Sequence, residues 1–306
     1  MTSASSVASP NSASSVASPD PASFVPDLDA YFARIGYHGS RAPTLPTLHA
    51  ISLAHVQAIP FEALDVLLGR RIDLDPRAIE DKLVHRRRGG YCFEQNTLLL
   101  RVLAALGYRV QPISARVRWG RTRDYLPPRT HVLVRVELGE RPGDDPWLVD
   151  CGIGSMSLTS AIRLTLDEEQ ATSHEPRRLV ATGSWEGLVR RSPDAVLYHQ
   201  VRLGTEWQDI AELTLEEMHP IDREVGNWYT SGHPESSFRQ RLLVTRATPD
   251  GRLTLLNREL TRRGPDGVGH VERIDSPEHL LRVLAEEFGL EFAADTRFAC
   301  AALVWD

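Results

Sequence analysis

The hydrophobic pattern of this chain changes its period once, near Gly107. Before that glycine, apolar residues recur at the three- and four-residue spacing of helices. After it, short runs rich in valine, isoleucine and leucine show the partial alternation of strands. Helices segregated from strands in this way indicate an α+β fold and argue against an alternating βαβ chain.

The elements expected from this pattern fall into three groups. Helices are predicted at 28–35, at 45–56, from Asp75-Pro76 onward, and from about 92 to 106. Strands are predicted at 110–117, 131–138, 147–149, 197–203, 242–247 and 253–256. Asp250-Gly251 predicts a hairpin turn between the last two, and Ser276-Pro277 begins a final helix that ends at Gly289.

The same pattern predicts four segments along the chain. Residues 1–23 carry SASSVASP twice, a composition that buries too little apolar surface to fold, so we expect a disordered tail. Residues 24–108 are expected to form a helical domain, and 109–212 a strand-rich domain. Residues 213–306 are expected to form a mixed C-terminal domain.

Composition narrows the class of protein. The apolar fraction is 42% and the formal net charge is −6, which fits a globular protein and argues against nucleic acid as a partner. No apolar run approaches the roughly 20 residues of a membrane span, and the N-terminus lacks the order of a secretory signal. Three cysteines at unrelated spacings argue against a disulfide framework, so a cytoplasmic location is expected. No motif for a metal or a dinucleotide is present.

The sequence RGGYCFEQN at 88–96 is the most informative stretch for chemistry. Its two glycines permit a tight backbone approach just before Cys92. A helix that starts at the cysteine directs unpaired N–H groups and its dipole toward the sulfur, which favours a thiolate. The same donors could hold an oxyanion during acyl transfer. The alternative is a buried cysteine that only packs.

A cysteine nucleophile needs a base and an orienting partner for that base. His131 begins a predicted strand, and Asp150 ends the apolar strand that follows it. A strand histidine is more often structural, and Asp150 could instead be a turn carboxylate that bonds near Gly152. Together with Cys92, however, the pair reproduces the order and placement of a papain-like cysteine enzyme. The other thiols are expected to be inert, with Cys151 facing the opposite side and Cys300 in a packing segment.

These residues resemble the arylamine N-acetyltransferase family. RGGYCFEQN resembles its nucleophile motif, and IPFEALD at 59–65 resembles its IPFENLD segment. Thr130-His131 and DCGIG at 150–154 are similar to its TH and DVGFG motifs. Further likeness is seen in YFARIGY at 31–37 and from Asn227 to Phe238, so the resemblance runs from about Leu28 to Phe238.

The resemblance implies a helical bundle, a central antiparallel β-barrel and a C-terminal α/β lid around a papain-like core. It implies transfer of acetyl from acetyl-CoA to an arylamine or hydrazine, with Cys92 as nucleophile, His131 as base and Asp150 as the orienting carboxylate. No metal is implied. The residues it places near the coenzyme are Gly152, Gly154 and Tyr229, and those it places near the acceptor are Phe61 and Ile153.

Three departures from the family pattern leave alternatives open. Ile153 replaces an aromatic residue of the acceptor wall, Cys151 replaces valine, and the loop between His131 and Asp150 is long. An amide synthase that closes a macrolactam from a carrier-bound thioester would use the same triad, and a papain-like thiol hydrolase would also use it. A CoA-binding protein without turnover is disfavoured because all three catalytic positions are filled. The sequence does not specify the natural acceptor or the oligomeric state.

Overall fold

A computed structural model describes residues 24–138, 146–264 and 267–305, so the predicted tail at 1–23 lies outside the described residues. Its helices are Leu28–Ile35 (α1), Leu45–Ala58 (α2), Leu64–Leu67 (α3), Pro76–Glu80 (α4), Cys92–Ala105 (α5), Pro220–Gly232 (α6), Ser237–Gln240 (α7) and Pro277–Phe288 (α8). Its strands are Phe61–Glu62 (β1), Arg109–Val117 (β2), His131–Glu137 (β3), Trp147–Val149 (β4), Ile162–Arg163 (β5), Arg177–Thr182 (β6), Trp185–Glu186 (β7), Val189–Arg190 (β8), Val196–Leu203 (β9), Glu206–Glu217 (β10), Leu243–Thr248 (β11), Gly251–Leu256 (β12), Glu259–Arg263 (β13) and Gly269–Arg273 (β14).

Capping residues set the ends of the helices in the N-terminal part. The Asp27 side chain caps α1 by accepting a hydrogen bond from Ala30 N, and Gly36 ends that helix in the left-handed region. Asp75 caps α4, and a π-helical turn at Asp81–His85 continues it. The apolar faces of these helices share one core with the outer face of β3 and β4, which places α5 against the sheet.

The central sheet is a nearly closed antiparallel barrel. Its seven strands lie in the order β5-β4-β3-β2-β10-β9-β6. The chain after β5 returns to β6 through isolated bridges at Leu166–Leu179 and Gln170–Arg177, which bring the two ends of the sheet together. The interior is apolar and includes Ile113, Leu133, Leu148, Leu197 and Leu213.

The second sheet is formed mainly by the C-terminal part of the chain. Its order is β1-β11-β12-β13-β14, and every pairing is antiparallel. The edge strand β1 comes from the N-terminal half, where Phe61 pairs with Thr245. Helix α8 packs its apolar face on this sheet. The α+β class, the helical bundle and the antiparallel barrel are thus confirmed, with a helix-and-sheet unit at the C-terminus.

Two long elements that position the site were not predicted. Strand β10 was missed because its ELTLEE stretch is rich in good helix formers, and the pairing with β2 and β9 decides its conformation. The boundary expected between residues 212 and 213 falls inside this strand, which ends at Glu217. Helix α6 was missed because only one side of it is buried and Gly226 lies in its middle. None of the helices among the described residues is long and apolar enough to span a bilayer.

Candidate active site

The turn before α5 is built from close backbone approaches. A Cβ on Gly89 would lie 2.2 Å from Pro60 O, and a Cβ on Gly152 would lie 2.6 Å from Cys92 Cα. No side chain fits at either place, so the glycines are required by contact and not by φ. The β4 end and the α5 start therefore meet at van der Waals distance beside the thiol.

The Cys92 thiol is buried at the edge of a mainly apolar cluster that includes Phe61, Phe93 and Val132. The residue is 5% exposed, and its Sγ lies 3.6 Å from Thr130 O, at the entrance to β3. As the first helical residues, Cys92 and Phe93 have N–H groups with no acceptor inside the helix. The sulfur is thus next to unpaired backbone donors, as the sequence predicted.

His131 and Asp150 form a buried pair beside this thiol. Antiparallel pairing of β3 with β4 brings them together, and His131 Nε2 lies 2.7 Å from Asp150 Oδ2. Burial lowers the pKa of the imidazole, but the Asp150 carboxylate and the Cys92 sulfur outweigh it and raise the pKa to about 10. Burial likewise acts against the charged form of Asp150, yet His131, Asn96 and Gly152 hold its pKa below the usual value.

Asp150 satisfies both interpretations that its sequence position suggested. Its Oδ2 receives the histidine, while its Oδ1 accepts hydrogen bonds from Gly152 N at 3.0 Å and Asn96 Nδ2 at 2.9 Å. The turn contact fixes one carboxylate oxygen and leaves the other for His131. An Asx-type turn is therefore part of how the carboxylate is oriented.

Asn96 is a site residue that the sequence reading missed. It lies one helical turn after Cys92, so both side chains share a face of α5. Its Nδ2 also donates to Val132 O at 2.7 Å, and its Oδ1 accepts from Cys151 N at 2.9 Å. One amide thus joins α5 to β3 and to the end of β4. The spacing of four residues from Cys92 was the available signal in the sequence.

A second missed feature is the ion-pair cluster beneath α5. Lys82 Nζ lies 2.7 Å from Glu94 and 2.8 Å from Asp65, and Arg88 Nη2 lies 2.7 Å from Glu62. All of these groups are buried or nearly so. Glu94 also accepts from Tyr91 N at 3.1 Å, which ties the cluster to the residue before Cys92. The cluster fixes the start of α5 from below.

A neutral hydrogen-bonded chain supports the same turn from the other side. Gln95 Nε2 donates to Gly90 O at 2.9 Å and Pro60 O at 3.0 Å, while its Oε1 lies 2.8 Å from His55 Nε2. Tyr31 OH lies 2.8 Å from the other ring nitrogen of His55. Burial lowers the pKa of His55 to about 4, so this ring is neutral, and it links Tyr31 to Gln95 in the hydrogen-bonded chain.

Of the remaining predicted site residues, Gly154, Phe61 and Ile153 lie near the loop that follows β4, and Tyr229 lies on α6. Gly154, in the left-handed region, would bring a Cβ 3.7 Å from the ring of Phe61, so these two lie together. Ile153 is half-buried at the barrel mouth and packs against the interior residues. Tyr229 lies apart on α6, where it lines a cavity of about 480 Å³ that Thr130 also lines.

The other two cysteines have different surroundings. Cys151 is 2% exposed and packs in the helical core, where burial and then Asp150 raise its pKa well above the ordinary value. Cys300 is half-buried and its Sγ donates to Gln240 O at 2.9 Å. In the parts of the chain that the structure describes, no group of side chains has the makeup of a metal site.

Comparison with known proteins gives one answer. An N-acetyltransferase family model matches residues 44–297. The arylamine N-acetyltransferase of Mycolicibacterium smegmatis is 44% identical over 268 residues, or 87% of this chain and 92% of that protein.

Solved structures agree with the sequence match. The arylamine N-acetyltransferase of M. tuberculosis superposes with a TM-score of 0.78 at 41% identity, over 86% of this chain and 93% of that one. The Mycobacterium marinum enzyme in complex with CoA gives 0.77 at 37% identity, over 86% and 92%. The chain belongs to the arylamine N-acetyltransferase family, and it is therefore an acyltransferase.

Proposed function

We propose that this enzyme transfers acetyl from acetyl-CoA to arylamines or hydrazines by a ping-pong mechanism on Cys92. The observation that carries the proposal is the buried His131–Asp150 pair at 2.7 Å, set beside a thiol at the start of α5. The relative solved with CoA supports the choice of donor.

In the first half-reaction the sulfur of Cys92 attacks the thioester carbon of the donor. His131, charged at neutral pH because its pKa is about 10, stabilises the thiolate as an ion pair. The tetrahedral oxyanion is held by the N–H groups of the first turn of α5. Its collapse breaks the bond to the CoA sulfur, which leaves as a thiol after it takes the proton from His131.

In the second half-reaction the amine nitrogen attacks the acetyl-enzyme. The neutral imidazole of His131 takes a proton from the amine, and collapse breaks the bond to the Cys92 sulfur, which regenerates the ion pair. Asp150 holds the ring in the tautomer that presents the second nitrogen to the sulfur and stabilises its positive charge. The acyl group thus passes between two nucleophiles of similar leaving ability, and the site mainly positions them.

The binding residues proposed for the two substrates follow from the resemblance and from their positions. The resemblance assigns Gly152 and Gly154 to the pantetheine arm; Gly152 lies against Cys92, and Gly154 lies against the ring of Phe61. Tyr229 is assigned to the coenzyme because it lines the neighbouring cavity. Phe61 and Ile153 provide apolar surface for the acceptor ring. Dependence on a free Cys92 thiol suits a reducing compartment, so we retain the cytoplasm as the proposed location.

Incubation with acetyl-CoA alone tests this proposal. We expect a mass increase of a single acetyl group, and peptide mass spectrometry should place it on Cys92. Addition of an arylamine should then remove the label and yield the amide. Label on Cys151 or Cys300, or none at all, would refute the mechanism. Loss of the acetyl group to water as fast as to the amine would favour the thiol hydrolase.

The acceptor assignment has its own test. An aromatic ring at position 153 would add an aromatic contact of roughly 0.5–1.5 kcal/mol, or about threefold to tenfold in selectivity. We expect Ile153→Phe to shift preference toward flat, unsubstituted arylamines without slowing acetylation of Cys92. Slower acetylation with an unchanged ranking of amines would place Ile153 in the donor site.

A further inference from the structure

Strands β6 and β9 direct two polar side chains into the barrel. Their antiparallel register places Leu179 opposite His199 and Arg177 opposite Val201. Residues directly opposite each other in such a pair share a face of the sheet, as do residues two positions apart on one strand. Leu179 belongs to the apolar interior, so all four residues face inward. Arg177 and His199 are therefore diagonal neighbours on the inner face of the barrel.

Both side chains are buried and only partly hydrogen-bonded. Arg177 is 0% exposed and His199 is 1% exposed. Among the described residues, Nε and Nη1 of Arg177 and Nε2 of His199 have no hydrogen-bond partner. Buried polar groups of proteins are nearly always satisfied by the protein, by water or by an ion. The two side chains therefore indicate a shared acceptor in the barrel interior.

The charges around Arg177 favour an anion as that acceptor. Its third nitrogen, Nη2, lies 3.2 Å from Glu175 Oε2. Arg252 binds the same carboxylate more closely, at 2.7 and 2.8 Å, and Arg263 binds it at 2.9 Å. Three guanidinium groups thus share one carboxylate, which leaves a buried excess of positive charge. The next carboxylate that acts on Arg177 is Asp150, whose oxygens are already hydrogen-bonded.

His199 adds a neutral donor to this site. Burial, followed by the charge of Arg177, lowers the pKa of His199 to about 3, so the ring is neutral at pH 7. A neutral imidazole carries one N–H, and in one of its two tautomers that N–H is on Nε2. Arg177 remains charged at pH 7, since burial and the charge of Arg252 lower its pKa only to about 9. A cation and a neutral donor together select a negative ion.

The apolar neighbours of the two side chains select a small ion with a single charge. Leu179 and Val201 lie beside them on the inner face, and Ile153 packs against the same interior. These side chains offer no donor to the several oxygens of a phosphate or sulfate, and an unpaired charged oxygen is costly to bury. A halide has no separate oxygens to satisfy, and the N–H groups of Arg177 and His199 can surround it.

We propose that the barrel interior binds one halide ion, chloride in the cell, between Arg177 and His199. The ion offsets the excess of guanidinium groups around Glu175 and links β6 to β9. The proposal goes beyond the proposed function and does not rest on it, because it involves no substrate.

Bromide tests the site directly, because it replaces chloride and scatters anomalously. Crystals of the full-length wild-type enzyme are soaked in sodium bromide, and diffraction is recorded at the bromine absorption edge. We expect an anomalous peak inside the barrel, in contact with the side chains of Arg177 and His199. A peak only on the surface would be an adventitious ion only and would overturn the proposal, as would a water molecule at this place.

Thermal unfolding tests the site in solution with a matched pair of variants. At constant ionic strength, replacement of sodium gluconate by sodium chloride should raise the Tm of the wild type to a plateau, because the ion binds only the folded chain. Arg177→Met should lose this shift and should still fold, since Glu175 keeps Arg252 and Arg263. Arg178→Met is the matched control, because Arg178 is on the outer face of the same strand, and its shift should remain.

His199→Phe removes the N–H and keeps an aromatic ring. It should raise the chloride concentration at half-saturation by about tenfold, because one hydrogen bond to a charged group is lost. This variant decides the question if Arg177→Met does not fold. No chloride shift in the wild type, an unchanged half-saturation in His199→Phe, or loss of the shift in Arg178→Met as well would overturn the proposal. Acetylation of Cys92 is measured separately, so failure here does not affect the proposed mechanism.

Discussion

Two buried thiols, Cys92 and Cys151, lie close to Asp150, but the charges beside them are opposite in sign. Cys92 is 5% exposed and Cys151 is 2% exposed, so burial does not separate them. Cys151 is even the covalent neighbour of Asp150. What separates them is the imidazole of His131, which lies between Asp150 and the Cys92 sulfur.

The difference shows what a nucleophile needs from its surroundings. Beside Cys151 the Asp150 carboxylate acts directly and, after burial, raises the pKa of that thiol further. Beside Cys92 the same carboxylate acts through a ring that it keeps positively charged. The interposed imidazole therefore presents a positive charge to the Cys92 sulfur, whereas Cys151 meets the negative charge of Asp150 directly.

The largest expected difference in activity is between single substitutions of the two cysteines. Cys92→Ser should abolish acetyl-enzyme formation and lower kcat by roughly 10³-fold or more, because the nucleophile is lost. Cys151→Ala should retain near-normal turnover and serves as the matched control. Steady-state rates with an arylamine and intact mass would measure both. Equal losses in the two variants would mean that the comparison between the thiols is wrong.

Asp150→Asn should have the next largest effect. The amide can hold His131 in the wrong tautomer and cannot stabilise its positive charge, so kcat should fall by about 10²–10⁴-fold. Circular dichroism should show a native fold. Near-normal turnover in a folded variant would reduce Asp150 to its turn contact with Gly152.

Asn96→Ala tests how much activity depends on the orientation of the Asp150 carboxylate. Loss of the bond to Asp150 Oδ1 leaves the buried carboxylate less well oriented, and kcat should fall by about tenfold to a hundredfold. The KM for acetyl-CoA should stay the same, since Asn96 faces the strands. A change in KM without a change in kcat would contradict this role.

Stability should depend on pH through the same pair. The pKa of His131 is about 10 in the folded protein, above the usual value of roughly 6.5 in an unfolded chain. The stabilisation is therefore complete below about pH 6.5 and is lost progressively as the pH rises toward the folded value. Urea unfolding from pH 6 to 10 should show this fall for the wild type and a flatter curve for Asp150→Asn. Parallel curves would argue against a charged His131.

The smallest effect is expected for Cys151→Val. The side chain packs among helical-core residues and differs from valine by a modest volume, so stability should change by less than about 1.5 kcal/mol. Turnover should be unaffected. Thermal unfolding and a single rate measurement suffice, and a substantial loss of activity would give the Cys151 thiol a role that its surroundings do not indicate.

Local signals in the sequence determined much of this molecule. The apolar periodicity located α1, and Ser276-Pro277 together with Gly289 located the two ends of α8. The strand His131–Glu137 and the helix that starts at Cys92 were also predicted, because each depends on neighbours a few positions away. The three candidate catalytic residues follow from those elements, since each lies at an element's start or end.

Only the tertiary structure decided how these ends meet. Asn96 reaches Asp150 across 54 positions of sequence, and Tyr91 OH bonds Asn227 across 136. Strand β10 and helix α6 owe their conformations to partners of this kind, since β10 pairs with β2 and Asn227 Nδ2 donates from α6 to Ile72 O. Propensity and capping act over one or two turns of chain, whereas packing and electrostatics act over ångströms in space. The sequence therefore specified the candidate nucleophile Cys92 and the helix that starts at it, and the fold specified which charges surround them.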